Sequence, residues 1–303
     1  MLINNHNDQS IELCGVLTSP DAPGKRGKNL VAPPVKLLVQ ELIPHLSILQ
    51  PHKLDSSLRE QITLLQPDLL VCVAYGKIFG PKFLGLFPLG GINLHPSLLP
   101  KYRGPAPVQA AIIAGEQESG ITVQQLGLEM DAGDVLCQVK RTISLEATAE
   151  QLLTQWAEDG AELVKKVILD YANGQVHPIP QAPEHASYCT MLNKEMGIID
   201  WTQPALKIHN QIRGLVPWPG ARTWLKGQTL YLWESYPQDQ SDLAQGHPGE
   251  ILLVDKKRGI LVQTGGGLLQ LKQLQLEHKN RLPWKDFING NQGLEGLCLG
   301  EHR

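Results

Sequence analysis

Gly91-Ile92-Asn93-Leu94-His95-Pro96-Ser97-Leu98-Leu99-Pro100-Lys101-Tyr102-Arg103-Gly104 is the stretch on which the reading of this chain turns. Asn93 and His95 stand two apart at the end of a short apolar run. If residues 91–95 are extended, the two-residue period of a strand puts both side chains on one face. A neutral amide that can donate and a titratable imidazole then point into the same space. That pair suits attack of an amine on a carbonyl carbon, the amide holding the developing oxyanion and the imidazole moving the proton. An isolated N-x-H is more often a turn-forming Asn beside a loop His, so a third residue has to tip the balance.

The next acidic stretch supplies one. Residues 120–126 (Gly-Ile-Thr-Val-Gln-Gln-Leu) read as a strand, and residues 127–133 as the loop leaving it, with Glu129 and Asp131 in that loop. Asp131 is followed by Ala132-Gly133-Asp134, small residues that let a backbone come close to a ligand. A carboxylate beside an imidazole orients the ring and favours its cationic form. The ordinary alternative for Asp131 is an N-cap or turn acid.

The segment N-L-H-P-S-L-L-P-K-Y-R-G, followed by G-L-E-M-D-A-G-D, resembles the core of the formyltransferases that use 10-formyltetrahydrofolate. The resemblance implies a catalytic set of Asn93, His95 and Asp131. It also implies a folate site that includes Ser97, Leu98, Leu99 and Pro100. Residues 20–28 (P-D-A-P-G-K-R-G-K) are similar to the basic tRNA-reading loop of the branch that acts on methionyl initiator tRNA, which assigns Lys25, Arg26 and Lys28 to the tRNA. Ile199-Asp200-Trp201 and residues 212–220 (I-R-G-L-V-P-W-P-G) are similar to the opening of that branch's C-terminal domain. The similarity runs from about Ile11 to beyond Pro283. It implies transfer of a formyl group from 10-formyltetrahydrofolate to the α-amino group of methionyl initiator tRNA, in the cytoplasm, for initiation of protein synthesis.

Composition sets outer bounds. At 303 residues the chain has room for two domains with separate cores. A net charge of −3 does not mark a nucleic-acid binder, so contact with RNA has to come from local basic clusters. The five cysteines (Cys14, Cys72, Cys137, Cys189 and Cys298) are widely spaced, with no CxxC and no His at ligand spacing. They indicate a reducing compartment without disulfides or structural metal, and Cys14 and Cys72, inside apolar runs, are expected as buried thiols. No apolar run reaches the roughly 18–20 residues of a membrane span, and no signal or transit peptide is expected. A monomer is the default expectation.

Strands alternating with helices predict an α/β fold, an open, mostly parallel Rossmann-like sheet. Residues 11–18 and 69–74 read as buried strands; residues 35–43, 107–114 and 149–171 read as helices, and 19–34 as a long loop. Residues 176–187 contain Pro178, Pro180 and Pro183 and read as an extended linker. Beyond them, strands at 229–233, 249–254, 259–263 and 268–276 predict a small OB-like β-barrel. A catalytic domain over 1–174, a linker over 175–193 and a tRNA-binding barrel over 194–303 follow. In the last strand Leu269 and Leu271 keep one phase, and Leu274 and Leu276 the other, which predicts a bulge near Lys272-Gln273. Trp201, Trp218, Trp224 and Trp233 are expected in the barrel core. Lys256-Lys257-Arg258 is expected as a solvated turn and Gly265-Gly266-Gly267 as a hairpin turn.

In one respect the chain departs from the family pattern. Family members open with a strand, a Gly-containing turn and a helix, whereas residues 1–7 (M-L-I-N-N-H-N) resemble the tail of that helix. The expectation is that the true start lies upstream of Met1. Two rival readings are a formyltransferase acting on an amino sugar nucleotide or glycinamide ribonucleotide, and a truncated, non-catalytic RNA-binding protein. The basic loop and the Pro/Trp-opened second domain oppose the first; the intact catalytic positions oppose the second.

Overall fold

The structure, a computed structural model, describes residues 11–24, 30–238 and 246–300. Its elements begin with β1 (Val16–Leu17), β2 (Ala22–Pro23), β3 (Leu30–Val31), α1 (Pro34–Leu42), β4 (Ile48–Leu49), α2 (Ser56–Leu64) and β5 (Leu70–Val73). They continue with α3 (Pro81–Leu84), β6 (Gly91–His95), α4 (Pro107–Ala114), β7 (Glu118–Gln125), β8 (Val135–Thr142) and α5 (Ala149–Ala172). The chain then forms α6 (Ala205–Gly214), β9 (Ala221–Leu225), β10 (Gln228–Gln238), β11 (Ile251–Asp255), β12 (Gly259–Gln263), β13 (Leu268–Leu276), β14 (Leu282–Pro283) and α7 (Trp284–Gly290).

Local chemistry sets the helix ends. Pro34 and Pro107 occupy first turns, where a missing N–H leaves no bond unmade. Asp55 caps α2 by accepting the Leu58 amide at 3.1 Å. Gly115 ends α4 at φ 80°, a left-handed conformation that glycine adopts without a Cβ clash.

The chain forms two compact units. The first comprises Met1–Arg103, Gly120–Lys140 and Trp156–Tyr188; the second comprises Gly104–Ser119, Arg141–Gln155 and Cys189–Arg303. The central sheet has the order β5–β6–β7–β8, with β5 parallel and β7 antiparallel to β6. β1 and β4 form a separate parallel pair. The sheet is therefore mixed, within an α/β layer arrangement. Ile92, Val123, Val164 and Val167 are almost fully buried together, with Val71 and Leu94 packed against them, so α5 covers one face of the sheet. The helix lies close: a Cβ on Gly160 would stand 2.6 Å from Leu94 Cδ2. On the other face, Leu58, Ile62, Phe79, Phe83 and Phe87 enclose Leu70 and Cys72.

The second unit is β-rich. Its sheet runs β11–β12–β13–β10–β9, with β14 paired to β13. Ile208, Ile212, Leu230, Leu232, Val262 and Leu269 are completely or almost completely buried in its core. The bulge expected in β13 is present: the β10–β13 register shifts on both sides of the Glu234–Gln273 pair, leaving Trp233 and Lys272 as the extra residues. α6 is tied to the segment before α5. Arg213 donates to the carbonyls of Ser144 (3.1 Å) and Ala147 (2.9 Å), and His209 Nε2 donates to that of Leu145 (2.8 Å).

Several expectations need correction. The strand expected at 11–18 is only Val16–Leu17. Cys14 and Cys72 are partly exposed rather than buried. Trp201 is buried, but Trp218 is 49% exposed, so the W-P-G segment puts its indole on the surface. Trp233 stacks on Tyr231 and carries Arg281 over its ring at 4.3 Å, so it too is not simple core. The supposed linker is bound to the first unit: Ile179 bridges Val135, and Tyr188 bridges Arg103. Lys256-Lys257-Arg258 does form a turn, with the Lys257 and Arg258 amides donating to Asp255 at 2.7 and 2.8 Å. The triple glycine joins the antiparallel β12 and β13 as expected.

Candidate active site

β6 sorts its side chains as the period of two requires. Ile92 and Leu94 face the α5 layer, and Asn93 and His95 face the opposite side. Across the antiparallel ladder, Asn93 is paired with Gln124 and His95 with Thr122, so two polar residues of β7 share the surface that carries Asn93 and His95. Asn93 and His95 are 9% and 4% exposed, which places both in a largely dehydrated setting where hydrogen bonds gain strength. The Asn93 amide has no hydrogen-bond partner among the described residues, so its N–H donors are left for a ligand.

The two ring nitrogens of His95 are differentiated. Nε2 lies 2.9 Å from the carbonyl oxygen of Tyr102. A carbonyl can only accept, so Nε2 carries a hydrogen and the contact assigns the tautomer. Nδ1 lies 3.6 Å from Asp131 Oδ1. A neutral ring would set the Nδ1 lone pair against that carboxylate; a proton at Nδ1, or one shared between the two groups, turns the repulsion into attraction. Nδ1 is therefore the ring nitrogen that faces a carboxylate. Both partners of the ring sit on left-handed backbone, Tyr102 at φ 59° and Asp131 at φ 53°. Non-glycine residues are held there at a cost of about 1–3 kcal/mol, a cost common at functional sites.

The Asp131 loop is pinned from several directions. Gln124 Nε2 donates to Asp131 Oδ1 at 3.1 Å, and Gln181 Nε2 donates to the carbonyls of Asp131 (2.9 Å) and Gly133 (2.6 Å). A Cβ on Gly133 would collide with the carbonyl of Gln125, so this glycine closes the loop against β7. The close approach anticipated there is to the protein's own backbone.

The Ser97–Pro100 segment is held just as tightly. Thr122 Oγ1 donates to the Ser97 carbonyl at 2.6 Å, accepts from the Leu99 amide at 3.2 Å, and accepts from Gln138 Nε2 at 2.8 Å. Gln138 Nε2 also lies 3.0 Å from the Leu99 carbonyl. The Ser97 hydroxyl is fully buried and donates to the Lys101 carbonyl at 2.6 Å. Its side chain thus shapes the segment, and Leu98 and Pro100 are the more accessible members. Thr122, Gln124, Gln138 and Gln181 were not anticipated as site residues. Alternate positions on residues 120–126 would have flagged Thr122 and Gln124, but nothing local marks Gln181. Lys25, Arg26 and Lys28 lie outside the described residues; β2 and β3, which flank them, form an antiparallel pair. No group of three His, Cys, Asp or Glu among the described residues could hold a metal ion.

The chain has counterparts among known proteins. Residues 2–168 match the formyl transferase family model, and residues 191–292 match the formyl transferase C-terminal domain. The chain is 44% identical over 298 residues to the methionyl-tRNA formyltransferase of Treponema denticola, covering 95% of this chain and 92% of that protein. The chain belongs to the methionyl-tRNA formyltransferase family. The methionyl-tRNA formyltransferase of Ruminiclostridium cellulolyticum is 40% identical over 302 residues, covering 99% of this chain and 95% of that one. Among solved structures, HypX from Aquifex aeolicus in complex with tetrahydrofolic acid superposes with a TM-score of 0.61 at 18% identity. That match covers 95% of this chain and 51% of HypX, so the chain spans about half of HypX's length and the likeness is one of fold. Membership of this family implies tRNA and folate as substrates.

Proposed function

We propose that Asn93, His95 and Asp131 carry out formyl transfer from 10-formyltetrahydrofolate to the α-amino group of methionyl initiator tRNA. The observation that carries this reading is the pairing of His95 Nδ1 with Asp131 at 3.6 Å beside the unengaged Asn93 amide. The amine nitrogen attacks the formyl carbon and forms the new C–N bond. Negative charge collects on the former carbonyl oxygen, where the Asn93 amide donates to it. The amine's proton passes to the Nδ1–Asp131 pair, which hands it to the departing folate nitrogen as the old C–N bond breaks. The Tyr102 carbonyl keeps Nε2 protonated, so the ring cannot turn its other nitrogen into that role.

Residues 97–100 present the folate-facing edge through Leu98, Pro100 and the backbone, while Ser97, Thr122 and Gln138 fix its shape. Lys25, Arg26 and Lys28 contact the tRNA. The antiparallel β2–β3 pair that brackets them in sequence is anchored beside Asp21: Lys36 Nζ lies 2.8 Å from Asp21 Oδ2, and Gln50 Nε2 lies 2.7 Å from Oδ1. Those two hydrogen bonds hold the Asp21 carboxyl below its ordinary range. A catalytic domain over 1–174 and a tRNA-binding domain over 194–303 complete the assignment. In the latter, Arg281 over Trp233 and Lys272 over Tyr236 offer cations beside aromatic rings for an RNA strand. A cytoplasmic monomer fits this role, and no helix among the described residues is long and apolar enough to cross a membrane.

The test is transfer of labelled formyl from 10-formyltetrahydrofolate to three acceptors: methionyl-tRNA, an amino sugar nucleotide and glycinamide ribonucleotide. Label on methionyl-tRNA alone is expected. Preferential labelling of either small acceptor would overturn the tRNA assignment.

A further inference from the structure

We infer that Gln181, in the segment between the two family regions, is a positioning residue that holds Asp131 against His95. The inference rests on the role proposed above for Asp131. Gln181 lies in an irregular segment and is 50 residues from Asp131 in sequence, yet its amide joins the site's supports. Its Nε2 donates to the carbonyls of Asp131 (2.9 Å) and Gly133 (2.6 Å) and lies 3.2 Å from Gln124 Oε1. Its Oε1 accepts from Arg103 Nε at 3.1 Å and from Arg103 Nη2 at 2.7 Å. Arg103 is itself 5% exposed and lies in the stretch that supplies the Tyr102 carbonyl to His95 Nε2.

Gln181 therefore connects the two backbone segments that address the two nitrogens of His95. One segment runs through Tyr102 and Arg103, the other through Asp131 and Gly133. The carbonyl end of the amide takes the guanidinium, and the NH₂ end takes the Asp131 loop. No charged side chain of that length supplies both. A glutamate serves Arg103 but sets a carboxylate against two carbonyls; a lysine serves the carbonyls but repels Arg103. The left-handed Asp131 needs outside support to keep its conformation, and Gln181 supplies it at the residue's own carbonyl.

Gln181→Met keeps the length and removes both ends of the link; Gln181→Glu keeps the acceptor for Arg103 and removes only the donor to the Asp131 loop. Both variants should lose about 10–100-fold in kcat, as a displaced catalytic group does, with KM for both substrates within about twofold of the parent. In a double-mutant cycle with Asp131→Asn, either change should add little to the loss that Asp131→Asn already causes. If Gln181→Met fails to fold, Gln181→Glu decides alone, because Arg103 keeps its partner. Near-parental kcat in Gln181→Glu, or losses that multiply with those of Asp131→Asn, would overturn the inference. Near-parental kcat in Asp131→Asn itself would instead refute the underlying assignment of Asp131.

Discussion

Thr122→Val isolates the scaffold of the segment proposed to face the folate from the chemistry. Thr122 is completely buried, and its hydroxyl serves three groups: the Ser97 carbonyl, the Leu99 amide and the Gln138 side chain. Valine keeps the branched shape but offers no donor or acceptor. Gln138 retains its contact with the Leu99 carbonyl, so two groups, the Ser97 carbonyl and the Leu99 amide, bear most of the loss. A buried polar group left without its partner costs about 1–3 kcal/mol, so the variant should be destabilised by about 2–6 kcal/mol. Urea titration should show a lower midpoint at an unchanged slope. The consequence for function follows from where those two groups sit. A loosened Ser97–Pro100 backbone should raise KM for 10-formyltetrahydrofolate about tenfold, equivalent to about 1.4 kcal/mol. The KM for methionyl-tRNA should change far less. Steady-state kinetics with each substrate varied in turn provides the comparison. An unchanged folate KM in a destabilised protein would show that the segment does not form the folate site; equal increases in both KM values would show a general loss of structure.

Three further outcomes are expected. Burial holds His209 below its ordinary value of 6.5, and its neutral form is fixed by Leu145 and Ser235. A depressed folded-state value means that the unfolded chain binds the proton more readily. Stability is thus full above about pH 6.5 and falls as pH drops, by up to about 1.4 kcal/mol per pH unit. His209→Gln, which keeps a donor for Leu145, should flatten that acid slope in thermal melts, and a parental slope would contradict the reading. Arg26→Ala should lower kcat/KM for methionyl-tRNA while leaving folate binding intact, and should reduce the salt slope of tRNA binding by about one; unaltered tRNA kinetics would leave that loop without a role. Asp131→Asn keeps the volume and removes the charge facing Nδ1, so kcat should fall about 10²–10⁴-fold with a changed pH–rate profile. A profile of parental shape would reduce Asp131 to a structural residue.

What was legible in the sequence follows the range of each interaction. The β6 strand and the shared face of Asn93 and His95 could be read because alternation is local, and the same holds for the bulge in β13, where Leu271 and Leu274 break step. The helix opened by Pro107 was equally readable, whereas Pro34, read as the end of a loop, is the first residue of α1. Proline content suggested a spacer at 176–187, but the Ile179 and Tyr188 bridges bind that region to the first unit. Gln181 was invisible for the same reason: its partners are 48–78 residues away. The His95 tautomer, too, depends on Tyr102 adopting a left-handed conformation, which residue type does not announce.

The decisive experiment is single-turnover formyl transfer to methionyl-tRNA by the parent and by His95→Ala, with folding of the variant confirmed by its thermal transition. With both substrates saturating, transfer should slow by at least about 10²-fold, because the proton that leaves the amine has lost the Nδ1–Asp131 pair proposed to accept it. A well-folded His95→Ala protein that transfers formyl at close to the parental rate would show that the chemistry does not run through the β6 face.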